Sequence, residues 1–149
     1  MYLRVGFAEP RIRRRKHEVK MPPIIPVTKS GTQGIAFWQL LWALGQQESG
    51  GNYAAVNKNA LGKYQVLSSN IPAWSKAALG RSITPGEFLA HPEYQEKIVQ
   101  FIFGQYYHKY GAKGALAMWY SGTTNWQSKA PQSGGPSIYD YVQQLLGRA

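Results

Sequence analysis

Cysteine is missing from the 149-residue chain, which excludes a disulfide scaffold, a thiolate metal site and a cysteine nucleophile. Acids are scarce as well: seven Asp and Glu stand against 17 Lys and Arg, a net charge of +10. With charged residues at 16%, below the usual quarter, much of the polar surface must come from Gln, Asn, Ser, Thr and Tyr. The only histidines are His17, His91 and His108, with no His-Glu-x-x-His, which argues against a zinc peptidase or amidase. A phosphate-binding P-loop is absent too. No apolar run approaches the roughly 20 residues that cross a bilayer, so no membrane span is expected. Aromatics are plentiful, with five Trp and ten Tyr, and rings combined with amides suit a sugar or a polymer better than a phosphate. The length allows one domain with a real core and little more.

The positive charge is uneven. Residues 1–30 hold eight basic residues and two acids, six of the chain's ten net charges. Pro22, Pro23 and Pro26 fix φ and remove donors, so this stretch reads as extended or polyproline-like. The division falls at an arm, residues 1–31, and a domain, residues 32–149. Leu3, Val5 and Phe7 alternate with Tyr2, Arg4 and Gly6, the pattern of one edge strand. The basic run at residues 11–16 leads into a short apolar stretch broken by prolines, so no signal peptide is expected. The arm has three readings: a solvated tail, a segment that docks on a neighbouring protein, or a phosphate-contacting segment that binds nucleic acid. Docking is preferred, and nucleic acid is the lesser expectation.

The domain reads as mainly helical with at most a small hairpin. Ile35, Trp38, Leu41, Trp42 and Gly45 follow helical spacing from Gly34 to Glu48, and Ser49-Gly50-Gly51-Asn52 ends that helix. Residues 53–67 are turn-rich, with a hairpin expected around Lys58-Asn59 or Gly62. Asn70 or Ser69 caps a helix with Pro72 in its first turn and Gly80 at its end. Thr84-Pro85-Gly86-Glu87 is a capping box. The longest helix runs from Pro92 to Tyr110, ahead of Gly111, and a small-residue helix from Gly114 or Ala115 to Tyr120 suits close packing at the centre. A loop over residues 123–135 precedes a last helix, opened by Ser137 and Asp140 as a second capping box and stopped at Gly147. Trp38, Trp42 and Trp74 are expected in the core.

Four of the domain's five acids have cheap local roles. Glu87 completes the capping box, Glu93 begins a helix and can pair with Lys97, Glu96 is expected on the solvent face, and Asp140 sits in a first turn. Glu48 has none. It closes an apolar helix at the pole that disfavours a carboxylate, and no basic residue lies between Gly34 and Gly51. Such a setting raises a carboxyl pKa, as a general acid requires. Position alone leaves two readings, a general acid or an exposed side chain at a frayed helix end.

Three blocks bear on that choice: Glu48-Ser49-Gly50-Gly51-Asn52-Tyr53, then Gly62-Lys63-Tyr64-Gln65, then Ala115-Leu116-Ala117-Met118-Trp119-Tyr120-Ser121-Gly122. In this order they resemble the goose-type lysozyme and lytic transglycosylase families, from about residue 34 to 122. The third block departs from the pattern, because Trp119-Tyr120 stands where those families carry Tyr-Asn. Either Tyr120 supplies a hydroxyl from one position along, or an aromatic wall serves instead. The resemblance implies a lysozyme-like fold that cleaves the bond between N-acetylmuramic acid and N-acetylglucosamine in peptidoglycan. It implies Glu48 as catalytic acid and then base, and Ser49, Tyr64, Gln65, Trp119 and Tyr120 as substrate-binding. Gln65 would hydrogen-bond a sugar, the three aromatic residues would line the groove, and Ser49 would orient Glu48 or the following loop. An ordinary glycosidase needs two carboxylates. A lytic transglycosylase needs one, because the muramic C6 hydroxyl attacks C1, and no metal or other cofactor takes part.

Three functions are weighed: a wall-cleaving enzyme, a structural wall-gripping part of a virion or injection apparatus, and a basic nucleic-acid binder. The preferred expectation is a transglycosylase carried on a phage tail, with residues 1–31 holding it to other virion subunits. A hydrolytic endolysin released at the wall is the alternative.

Overall fold

The computed structural model describes residues 31–149, and side chains from Phe37 onward. The strand expected at residues 2–7 and the arm itself lie outside the described residues. Helix α1 (Gly31–Ser49) starts three residues before the apolar spacing does. Phe37, Leu41, Leu44 and Glu48 succeed one another at steps of three and four, so all four fall on its buried face. Trp42, expected in the core, lies on the opposite face and is 54% exposed. The helical period explains the correction, since Leu41 and Trp42 cannot share one face. Trp38 is partly buried edge-on against Phe37, and Trp74 is fully buried.

After α1 the chain forms a small antiparallel sheet of β1 (Val56–Asn57), β2 (Ala60–Leu61) and β3 (Val66–Leu67), in that order. Val56 pairs with Leu61, and Ala60 with Leu67. The chain turns at both of the alternative places, at Lys58 with φ 58° and at Gly62 with φ 80°. A short 3-10 turn, Ser68–Asn70, runs straight into α2 (Ile71–Leu79). That continuity overturns the expected cap. Asn70 already has helical backbone angles, its side chain makes no capping bond, and its amide is buried without a hydrogen-bond partner.

Helix α3 (Pro85–Ala90) opens with the expected capping box: Thr84 Oγ1 accepts from the Glu87 N–H at 3.0 Å, and Glu87 Oε1 from the Thr84 N–H at 2.9 Å. Helix α4 (Pro92–Ser121) unites the two helices read from sequence, with Gly111 as a kink at φ 76° and ψ 178°. A side chain rarely tolerates that angle, so the glycine permits the bend. Beyond the kink, every residue from Gly114 to Ser121 is buried. Helix α5 (Ile138–Arg148) starts where Ser137 Oγ accepts from the Asp140 N–H at 3.1 Å, and it passes Gly147 by one residue. Helix α4 is the central element, packed against α1, α2, α3 and α5. The described chain is therefore mainly helical with one small sheet, and none of its helices is long and apolar enough to cross a membrane.

Candidate active site

The geometry around Glu48 follows from two largely apolar helix faces, one carrying a carboxyl and the other a phenol. Glu48 is fully buried on the inward face of α1. Tyr141 occupies the buried face of α5 with Ile138, Val142 and Leu145. A buried hydroxyl and a buried carboxyl each need a partner, and the Tyr141 hydroxyl donates to Glu48 Oε2. The Tyr141 ring is fixed by a parallel stack on Tyr120, centroids 4.1 Å apart, and the Tyr120 hydroxyl donates to the Pro136 carbonyl at 2.7 Å. Two further bonds fasten the same helix ends: Gln47 Nε2 donates to Gln144 Oε1 at 2.8 Å, and Arg148 Nε to Gln47 Oε1 at 2.7 Å.

On the other side of α1, Ser49 ties the helix end to the sheet. Its hydroxyl donates to the Lys63 carbonyl at 2.6 Å and accepts from the Asn52 N–H at 2.9 Å. The Lys63 N–H reaches across to α4, donating to Gln95 Oε1 at 2.9 Å. Gln95 Nε2 in turn donates to the carbonyls of Tyr53 and Phe88, both at 3.1 Å. A Cβ on Gly62 would lie 2.3 Å from Gln95 Oε1, so this turn requires glycine for space as well as for its φ.

Glu96 sits beside Gln95 and is not the solvent-face residue expected. Its carboxylate accepts from the Tyr53 hydroxyl at 2.6 Å, the Tyr64 hydroxyl at 2.9 Å, Lys63 Nζ at 2.9 Å and Gln100 Nε2 at 3.4 Å. The hairpin folds over this part of α4 and covers it, which a helical wheel cannot report. Burial works to raise the Glu96 pKa, but the donors from Tyr53, Lys63 and Tyr64 outweigh it and hold the carboxyl below its ordinary value. Burial works to lower Lys63, and Glu96 more than reverses it. The Tyr53 phenol is pushed up, first by its bond to Glu96 and then by burial. Glu93, expected to pair with Lys97, lies 3.3 Å from the His91 ring instead.

The residues assigned from the resemblance thus occupy three different environments. Glu48 and Ser49 are adjacent at the end of α1, and Ser49 bonds the loop as expected. Gln65 is 1% exposed with φ 55°, and its Nε2 donates to the Gly62 carbonyl at 3.0 Å, so its amide braces the hairpin rather than facing a sugar. Tyr64 turns its hydroxyl to Glu96 and is buried. Trp119 packs against Trp74 and Phe103, with centroids at 5.5 and 5.9 Å, and both it and Tyr120 are fully buried. The expected groove wall at Tyr64, Trp119 and Tyr120 is corrected accordingly: these rings fill the interior, because the small-residue limb of α4 runs through the domain centre.

Sequence reasoning missed Tyr141, Gln95 and Glu96. Tyr141 left a usable trace, a lone hydroxyl on an otherwise apolar helical face that matches the lone acid of α1. Glu96 left none, because its partners come from a hairpin whose fold over α4 is a tertiary event. Among the described residues no three His, Asp or Glu side chains come together in a way that could hold a metal ion. Compared with known protein families, with curated proteins and with solved structures, the chain shows no match.

Proposed function

We propose that this protein cleaves the glycan strands of bacterial peptidoglycan between N-acetylmuramic acid and N-acetylglucosamine, as a lytic transglycosylase with Glu48 as its catalytic acid and base. One observation carries the reading: Glu48 is fully buried on the apolar face of α1, under a tyrosine hydroxyl. Burying a carboxyl costs several kcal/mol, by order of magnitude, and apolar residues in place of it and its phenol partner together would be no less stable there. A group kept at such cost is a candidate for chemistry. The resemblance of its three sequence blocks to the lytic transglycosylase and goose-type lysozyme families names which chemistry.

Of the other four acids of the domain, three have partners elsewhere and Asp140 is exposed on α5. Glu87 caps α3, Asp140 lies in the first turn of α5, Glu93 pairs with His91, and Glu96 holds four donors. This favours a mechanism that needs one carboxylate over the hydrolytic pair. Glu48 protonates the glycosidic oxygen, then takes the proton of the muramic C6 hydroxyl as that oxygen attacks C1, leaving a 1,6-anhydro end. Tyr141 holds the carboxyl in place through Oε2. The reading also requires an arrangement in which a glycan strand reaches Glu48, which the described conformation covers. The basic, proline-rich composition of residues 1–31 supports delivery to the wall as part of a phage tail, held by that segment to other virion subunits.

Mass spectrometry of sacculi digested by the purified chain tests the proposal. Anhydro-muropeptides that disappear with Glu48→Gln are the expected result, and reducing ends would identify a hydrolase instead. That the described conformation covers Glu48 favours a second reading, a wall-binding module without activity. That second reading holds if the chain binds sacculi and releases nothing.

A further inference from the structure

The turn between β2 and β3 is gripped from two helices at one residue. The Lys63 carbonyl accepts from Ser49 of α1, and its N–H donates to Gln95 of α4. Its aliphatic stem crosses Gly45 of α1 so closely that a Cβ there would lie 2.8 Å from Lys63 Cε. Its ammonium ends on Glu96, 2.9 Å away. Glu96 also takes the hydroxyl of Tyr53, which precedes β1, and that of Tyr64, which follows Lys63. One carboxylate therefore joins both ends of the segment running from the helix end after Glu48 to the residue before Gln65. Its donors include an ammonium and two phenols, all drawn from that segment, and charge-assisted bonds of this kind are about twice as strong as neutral ones.

We infer that Glu96 is a positioning residue of the candidate site: it clamps the hairpin of Tyr53, Lys63 and Tyr64 onto α4 and so sets the hairpin against the last turn of α1. The inference rests on the proposed role of Glu48 for its catalytic consequence, but not for the clamp itself. Glu96 acts at a distance, through Lys63 and then Ser49, the neighbour of Glu48. The bonds of Gln95, Ser49 and the apolar core do not involve the Glu96 carboxylate, so the hairpin loosens without it while the domain stays folded. The groups that face Glu96 are Tyr53, Lys63 and Tyr64 from the hairpin and Gln100 from its own helix. Lowered by these donors, the carboxyl remains ionised into weak acid, and on the acid side the clamp opens as it takes a proton.

The test compares the full chain with Glu96→Gln and Glu96→Asp, by hydrogen exchange and by turnover of purified sacculi. In Glu96→Gln, amides of residues 53–65 are expected to exchange about tenfold faster, with α5 unchanged. Turnover is expected to fall about tenfold with KM within about twofold, because a misplaced acid costs rate rather than binding. The acid limb that Glu96 contributes to the wild-type pH profile is expected to vanish, and Glu96→Asp to fall between. Unchanged exchange and unchanged turnover would overturn the inference. So would a loss of a thousandfold or more with unchanged exchange, which marks a group touching the reacting atoms. If Glu96→Gln does not fold, hydrogen exchange of the wild-type chain through the acid range replaces it, and protection of the hairpin that does not drop ahead of α5 counts against the clamp. If the wild-type chain releases no glycan fragments, the glycan reading fails alone, and exchange in the hairpin still decides for or against the clamp.

Discussion

Two glutamates mark two corners of this domain, and they are held in opposite ways. Glu48 lies on an apolar helix face, fully buried, beneath a phenol clamped by ring stacking. Glu96 lies on a partly open helix face, 24% exposed, and is held by an ammonium and two phenols from one hairpin. The first arrangement adds little to stability for a carboxylate. The second spends the carboxylate on structure. The same side chain is thus a candidate reagent in one corner and a staple in the other, and its donors and burial decide which.

The largest effect expected from breaking this contrast is on activity. Glu48→Gln removes the carboxyl while keeping a side chain of the same shape. Release of anhydro ends is expected to fall about a thousandfold or more, with thermal stability unchanged or raised, because a buried carboxyl is replaced by an amide that can still accept from Tyr141. Glu96→Gln reverses the pattern, with stability lowered by about 1–2 kcal/mol and activity reduced but present. If the two variants exchanged behaviour, the assignment of roles would be wrong.

The largest effect expected on stability is that of Gly62→Ala. The new methyl would sit 2.3 Å from Gln95 Oε1, on backbone at φ 80°. Losing the bridge from Gln95 to Lys63 as well as straining the turn is expected to cost about 2–4 kcal/mol, read from denaturant unfolding. Tyr141→Phe probes the other corner more gently. It keeps the stack on Tyr120 and removes the hydroxyl from Glu48, for an expected cost of about 1–3 kcal/mol and a turnover reduced more than binding.

Much of this architecture is legible in the sequence, for physical reasons that also show where legibility stops. Helix boundaries at Gly80, Thr84, Pro92 and Ser137 follow from local chemistry, and they hold because caps and prolines act within a few residues. The oddity of Glu48 is equally local, a carboxyl at the end of an apolar helix with no nearby base. Trp42 and Glu96 go the other way. A tryptophan is not obliged to be inside when its helical phase points out, and a charged residue is not obliged to be outside when a hairpin folds over it. The burial of Tyr64, Trp119 and Tyr120 belongs to the same class, since a short motif names residue types and cannot report which side of a packed helix they face.

The smallest predicted effect concerns pH, and it separates the corners without any mutation. Glu96 has a folded pKa below the ordinary glutamate value of 4.5, so the stability it adds is complete above that value and is lost as pH falls through the folded one. Lys63 and Tyr53 have folded values above the ordinary 10.5 and 10.0, so their contribution is complete below those values and is lost as pH rises through the folded ones. The hairpin clamp is therefore intact across the neutral range and opens at both extremes. Protection of residues 53–65 against exchange, taken relative to α5, is expected to be flat between about pH 5 and 9 and to decline on either side. In Glu96→Gln the acid decline should be absent, because no carboxyl remains at that position to take up a proton. A wild-type hairpin whose relative protection ignores acid would mean that the Glu96 carboxylate charge contributes nothing to holding this corner.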